Sequence, residues 1–162
     1  MKKILVVGIG NPDRGDDAAG LLIARRLVEH VSPEVSIIER TGDLLAVIQD
    51  WVGYDAVVLV DAAALVTTAG SIHRIDLLED QLPPELSLSS THALGVGSAV
   101  GLARTLGLLP QHLVVFAVEG ASFEAGSPLS PDVSAAVDEA VMRVLTEITL
   151  LNQKRVGATA NA

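Results

Sequence analysis

Apolar and polar positions along this chain follow two different periods, and the points where one gives way to the other divide it into strands and helices. Lys3 to Val7 is a short apolar run closed by Gly8, the pattern of a buried first strand. From Asp17 the spacing turns helical, with Leu21, Leu22, Ala24, Leu27 and Val28 recurring on one side and Asp16 standing where an N-cap belongs. Val35 to Ile38 predicts a second strand, Leu44 to Trp51 a second helix capped by Asp43, and Ala56 to Val60 a valine-rich third strand that ends at Asp61. Ser71 to Ile75 alternates polar and apolar residues, as a half-exposed edge strand does. Leu78 to Ser90, with Pro83 and Pro84 among acidic residues, predicts a loop, and His92 to Leu106 a helix of small residues stopped before Pro110. Leu113 to Val118 is the fifth strand. Ser130-Pro131 opens a long last helix to about Leu151, with proline in its first turn; the small and polar residues 152–162 are expected to be a flexible tail.

Strands alternating with helices predict a mainly parallel five-stranded sheet in a three-layer α/β/α sandwich, built as one domain over residues 1–151. The composition sharpens that expectation. Aromatic residues are confined to Trp51, Tyr54, Phe116 and Phe123, so the core is aliphatic, and branched side chains suit parallel strands covered on both faces. A formal charge of −9 opposes binding to nucleic acid or to an anionic membrane surface. The chain has no cysteine, which removes disulfides, thiolate metal sites and cysteine nucleophiles together. The apolar run after Lys2-Lys3 is too short for a secretion signal and is broken by Asn11-Pro12-Asp13-Arg14, and nothing approaches the length of a membrane span. A cytoplasmic protein is the expectation.

Ligands of open α/β sheets bind at the carboxyl ends of the strands, and three such junctions carry acid/base or metal-ligand residues. They are Gly8-Ile9-Gly10-Asn11-Pro12-Asp13-Arg14-Gly15-Asp16-Asp17 after strand one, Asp61 at the end of strand three, and His92 at the start of the helix after the proline loop. Two carboxylates and an imidazole together suit a borderline divalent metal such as nickel, zinc or iron. Each has a plainer reading. Asp16 fits an N-cap better than chemistry, and Asp17 fits a helix-dipole partner as well as it fits chemistry. A carboxylate ending an apolar strand must be solvated, paired or functional, and an isolated histidine such as His92 is commonly structural. His30, His73 and His112 read as surface residues, and Arg25-Arg26 as a solvated helix face. No Gly-x-Ser-x-Gly elbow supports a serine hydrolase.

Gly8-Ile9-Gly10 invites a dinucleotide-binding reading, but the third glycine of that fingerprint is Asp13, and Asp16 and Asp17 add negative charge where a pyrophosphate would sit. Peptidyl-tRNA hydrolases share Gly8-Ile9-Gly10-Asn11-Pro12 but follow it with a histidine loop that residues 13–29 lack. The fuller resemblance is to the hydrogenase maturation endopeptidases. It rests on the acidic pair Asp16-Asp17 with Gly20, on Val-Leu-Val-Asp61-Ala, on Ser90-Thr91-His92-Ala93-Leu94-Gly95, and on Val115-Phe116-Ala117-Val118-Glu119-Gly120 followed by Leu129-Ser130-Pro131.

That resemblance spans roughly residues 3 to 148 and implies a phosphorylase/hydrolase-like sandwich. It implies an endopeptidase that removes a C-terminal extension from a nickel-loaded NiFe hydrogenase large-subunit precursor. Asp17, Asp61 and His92 would be both the metal-binding and the catalytic set, with nickel supplied by the substrate and another divalent ion able to enter the isolated site. The chain departs from the family in two places. Asp17 stands where some members carry Glu, and Arg40-Thr41-Gly42-Asp43 replaces a loop rich in glycine and threonine. Two other readings stand beside it: a peptidyl-tRNA-hydrolase-like esterase, and a non-catalytic nucleotide- or metal-binding module.

Overall fold

The computed structural model describes residues 2–80 and 96–160. Its five strands are β1 (Ile4–Ile9), β2 (Val35–Arg40), β3 (Ala56–Ala63), β4 (Ile72–Asp76) and β5 (His112–Glu119), and they lie in one sheet in the order β2-β1-β3-β5-β4. β1, β2, β3 and β5 are mutually parallel, and β4 runs antiparallel to β5 at an edge. The reversal has a simple cause: residues 64–71 are too few for the helical crossover a parallel neighbour needs. Every strand runs further at its carboxyl end than the apolar pattern indicates, because ladder pairing carries polar residues too. β3 and β5 stay paired through Asp61–Ala117 to Ala63–Glu119.

Alternation along the strands sorts the core into two layers. Ile4, Val6, Val58 and Phe116 face α1 (Ala19–Leu27) and α4 (Pro131–Ala160), meeting Ile23, Leu27, Val137 and Val144. Leu5, Val7, Leu59 and Val115 face α2 (Leu44–Trp51) and α3 (Val96–Leu106), meeting Val47, Trp51, Ala99 and Ala103. The expected three-layer α/β/α sandwich is therefore the fold. Asp43 caps α2 as expected, its carboxylate accepting the Leu45 and Ala46 amides at 3.1 and 3.3 Å. The backbone of α4 stays helical past Leu151 to Ala160. The run Ile4–Ile9 is a fully buried inner strand between β2 and β3, and among the described residues no helix is long and apolar enough to cross a membrane.

The strand order contains one reversal that matters for function. From β1 the chain moves outward through α1 to β2, then returns through α2 to the opposite side of β1 to form β3. Successive loops leave β1 and β3 in different directions, which opens a crevice at their carboxyl ends.

Candidate active site at the β1–β3 crevice

Two glycines press the first helix against this crevice. A Cβ at Gly10 would stand 1.9 Å from the carbonyl oxygen of Asp17, so only glycine lets the turn after β1 fold back over the strand's end. The Asn11 amide closes that turn by donating to the Asp17 carbonyl at 3.2 Å. A single turn of 3-10 helix, Gly15–Ala18, then leads into α1. At Gly20 a Cβ would stand 2.4 Å from the carbonyl oxygens of both Ile9 and Val60. The first turn of α1 therefore rests on the ends of β1 and β3 together, and the residue after Val60 is Asp61.

Asp17 is 3 % exposed. Its Oδ2 lies 3.6 Å from the Arg14 guanidinium, while Oδ1 is buried and has no hydrogen-bond partner among the described residues. A buried carboxylate oxygen without a donor is costly, so this side chain is not placed for the sake of stability. Asp61 is 1 % exposed, and its Oδ1 accepts the amide of Ala62 at 2.8 Å. The β1 ladder stops at Gly8–Val60, which makes Asp61 the first residue of β3 beyond it. By strand alternation Asp61 shares the face of Val57 and Leu59, the face covered by α2 and α3. Thus the 3-10 turn that carries Asp17 packs on β3, the strand that carries Asp61, although the two residues are 44 positions apart in number. His92 lies outside the described residues. The helix that follows it, α3, starts at Val96, which is buried in the same core layer as Leu59 and Ala63.

Asp16 does not cap its own helix, contrary to the sequence reading. It lies inside the 3-10 turn that precedes α1, and its side chain points into the connection between β5 and α4. Its Oδ2 accepts the amides of Ala121 and Ser122 at 2.7 and 3.1 Å, and Oδ1 accepts the amide of Ser130 at 2.7 Å. Burial works against its charge, but the Ser130, Ser122 and Ala121 amides outweigh it and hold the carboxyl below its ordinary pKa. Asp16 is a bracket that ties the Asp17 turn to the start of α4.

His73 is likewise not a free surface residue. Its Nε2 is 2.7 Å from Oε2 of Glu119, a fully buried carboxylate. Glu119 also accepts the Val66 and Thr67 amides at 2.6 and 2.7 Å and the Thr67 hydroxyl at 2.8 Å. Burial opposes this charge too, yet the bonds from His73, Thr67 and Val66 bring its pKa down to about 2. The sequence carries a signal for Glu119 as well. It ends an apolar strand just as Asp61 does, and the same question about a carboxylate's partners applies to it.

Buried carboxylates at the rim of such a crevice can hold a cation or take a proton from a water molecule. They oppose an anionic ligand, because Asp17 occupies the turn where a pyrophosphate would meet a helix N-terminus. Among the described residues no three His, Asp or Glu side chains converge to hold a metal ion.

Comparison with known proteins agrees with this fold. The family model described as hydrogenase maturation protease matches residues 22–147, a stretch that contains Asp61 and His92 and begins just after Asp17. The hydrogenase 2 maturation protease of Escherichia coli (strain K12) is 27 % identical over 150 residues, which are 90 % of each chain. Among solved structures, the hydrogenase maturating endopeptidase HybD from E. coli superposes with a TM-score of 0.75 at 23 % identity, covering 92 % of this chain and 93 % of that one. The [NiFe] hydrogenase maturation protease HybD from Thermococcus kodakarensis does so with a TM-score of 0.73 at 22 % identity, over 90 % of this chain and 98 % of its own. With the family model matching well over half its length and a shared sandwich fold, the chain belongs to the hydrogenase maturation protease family.

Proposed function

We propose that this protease removes the C-terminal extension of a NiFe hydrogenase large-subunit precursor, and that Asp17, Asp61 and His92 contact the nickel the precursor carries. The observation that supports the reading best is Asp17 Oδ1, buried at the β1–β3 crevice with no hydrogen-bond donor among the described residues. An oxygen in that position suits a cation brought by a ligand. Carboxylate and imidazole donors without thiolate match a borderline divalent ion held loosely enough to leave with its product.

In this scheme nickel is part of the substrate. Asp17 and Asp61 face it with carboxylate oxygens and His92 with a neutral imidazole, which orients the precursor. The ion supplies Lewis acidity toward the scissile carbonyl. A water adds to the carbonyl carbon, gives its proton to a carboxylate of the site, and the C–N bond breaks as the departing amine is protonated. The isolated enzyme offers the same donors to other divalent ions. In this scheme the reaction takes place in the cytoplasm. A tRNA-directed esterase and a non-catalytic module lack the support that family membership lends to proteolysis.

Two treatments run side by side test the role of nickel. Precursor depleted of nickel should resist untreated enzyme, while enzyme stripped with chelator should still cut nickel-loaded precursor. Brisk cutting of nickel-free precursor, with activity lost on stripping the enzyme, would overturn the scheme in favour of a resident metal.

A further inference from the structure

The connection between β3 and β4 leaves the sheet directly after Asp61, Ala62 and Ala63, and its course follows from Glu119. Glu119 pairs with Ala63 in the ladder and has the strand parity of Leu113, Val115 and Ala117, so its side chain lies on the face that Asp61 also faces. Its carboxylate holds the Val66 and Thr67 amides. The turn at 64–67 therefore crosses the end of β5 on the Asp61 face of the sheet rim. Further backbone bonds fix its far end, with the Gly70 amide donating to the Glu119 carbonyl at 2.8 Å and the Glu119 amide to the Ser71 carbonyl at 2.9 Å.

This well-anchored turn presents two apolar side chains to solvent. Leu65 is 55 % exposed and Val66 is 42 % exposed, and among the described residues they are the only consecutive pair of exposed large hydrophobics. Single exposed apolar residues are ordinary on any surface. A pair whose backbone is pinned by a buried carboxylate, four and five positions beyond a candidate active-site aspartate, is a preorganised contact.

We propose that the Leu65–Val66 turn is a specificity-determining contact that receives an apolar segment of the large-subunit precursor next to the scissile bond, with Glu119 as its positioning residue. The occupant follows from place and charge. A chain reaching the crevice from the β3–β5 side passes over this turn, and an enzyme with a net charge of −9 gains more from an apolar or basic segment than from an acidic one. The inference rests on the proposed function for the identity of the substrate, but not on the role of nickel.

Binding of the parent enzyme and of the double variant Leu65→Ser/Val66→Ser to a large-subunit precursor carrying its C-terminal extension can be measured by surface plasmon resonance, with cleavage followed separately. The double variant should bind about tenfold more weakly or worse, as loss of two apolar anchors implies, and show a raised KM with kcat at saturation within about twofold. Glu119→Gln should raise KM in the same direction, again with kcat retained. Both substituted positions of the double variant are exposed, so its folding is not at risk if Glu119→Gln fails to fold. Equal affinity of parent and double variant for the precursor would overturn the proposal. So would a parent dimer that the double variant converts to monomer with precursor affinity unchanged, since the occupant would then be a second copy of this chain. Failure of the nickel scheme would instead alter cleavage and leave the difference in affinity standing.

Discussion

Gly20 and Val60 touch backbone to backbone, in that a Cβ on the glycine would lie 2.4 Å from the carbonyl oxygen of the valine. Ile9 presents its carbonyl at the same distance from the other side. The contact sets the height of α1 over the sheet and with it the position of the Asp17 turn against β3. Gly20→Ala should force the helix away from both strands. A loss of about 1–3 kcal/mol, as overpacking typically produces, should appear in chemical denaturation. Precursor cleavage should fall further than the stability loss explains, because the Asp17 turn would be displaced from β3.

Asp16 provides a second test of how the site is supported. Its carboxylate accepts three backbone amides across the gap between the β1–α1 turn and α4. Asp16→Ala would leave those part-buried donors without their partner, at roughly 1–3 kcal/mol for each group that water cannot reach. The expected result is a marked drop in the midpoint of urea unfolding. Asp16→Asn should fall between the variant and the parent, since an amide oxygen accepts but carries no charge.

Glu119 makes the stability of the protein depend on acid. Its folded pKa of about 2 lies below the ordinary value of 4.5. The stabilisation is therefore fully present above pH 4.5, declines as pH falls, and is gone below about 2. A shift of this size corresponds to stability on the order of 3 kcal/mol. Unfolding free energies of the parent and Glu119→Gln should differ at neutral pH and converge as pH falls toward the folded pKa. A difference that stays constant down to that limit would show that the carboxylate's charge is not what holds the turn.

Asp17 should behave in the opposite way. With one oxygen buried and unbonded among the described residues, Asp17→Asn removes a poorly satisfied charge and should leave the melting temperature unchanged or higher. Processing of precursor should nevertheless be lost, the trade of stability against function typical of working groups. Asp61→Asn and His92→Ala should likewise stop processing while circular dichroism shows folded protein. A variant that processes at the parent rate takes its residue out of the site.

Much of this organisation was legible in the order of residues. Strand and helix positions follow from hydrophobic period, and Asp43 from its place before an apolar helical run; both depend on near neighbours in the chain. Asp17 and Asp61 stood out because one lies in the loop between a strand and a helix and the other at the end of an apolar strand, where an α/β fold gathers its ligands. His92 was singled out in the same way and lies outside the described residues.

Asp16, His73 and Glu119 show where local pattern stops being informative. Asp16 has the position of a cap, yet its three amide partners are 105, 106 and 114 residues away. His73 alternates like any edge-strand residue, yet it meets a carboxylate 46 residues distant. Periodicity reports which side of an element is buried, because burial of a side chain is decided by the element's own repeat. It carries no record of which loop crosses which strand end. The pairing of β4 with β5 and the reversal between β1 and β3 bring those loops together, and a buried carboxylate then takes whatever donors the meeting supplies. The candidate site residues were legible locally; the brackets that hold their turns in place exist only once the sheet has closed around them.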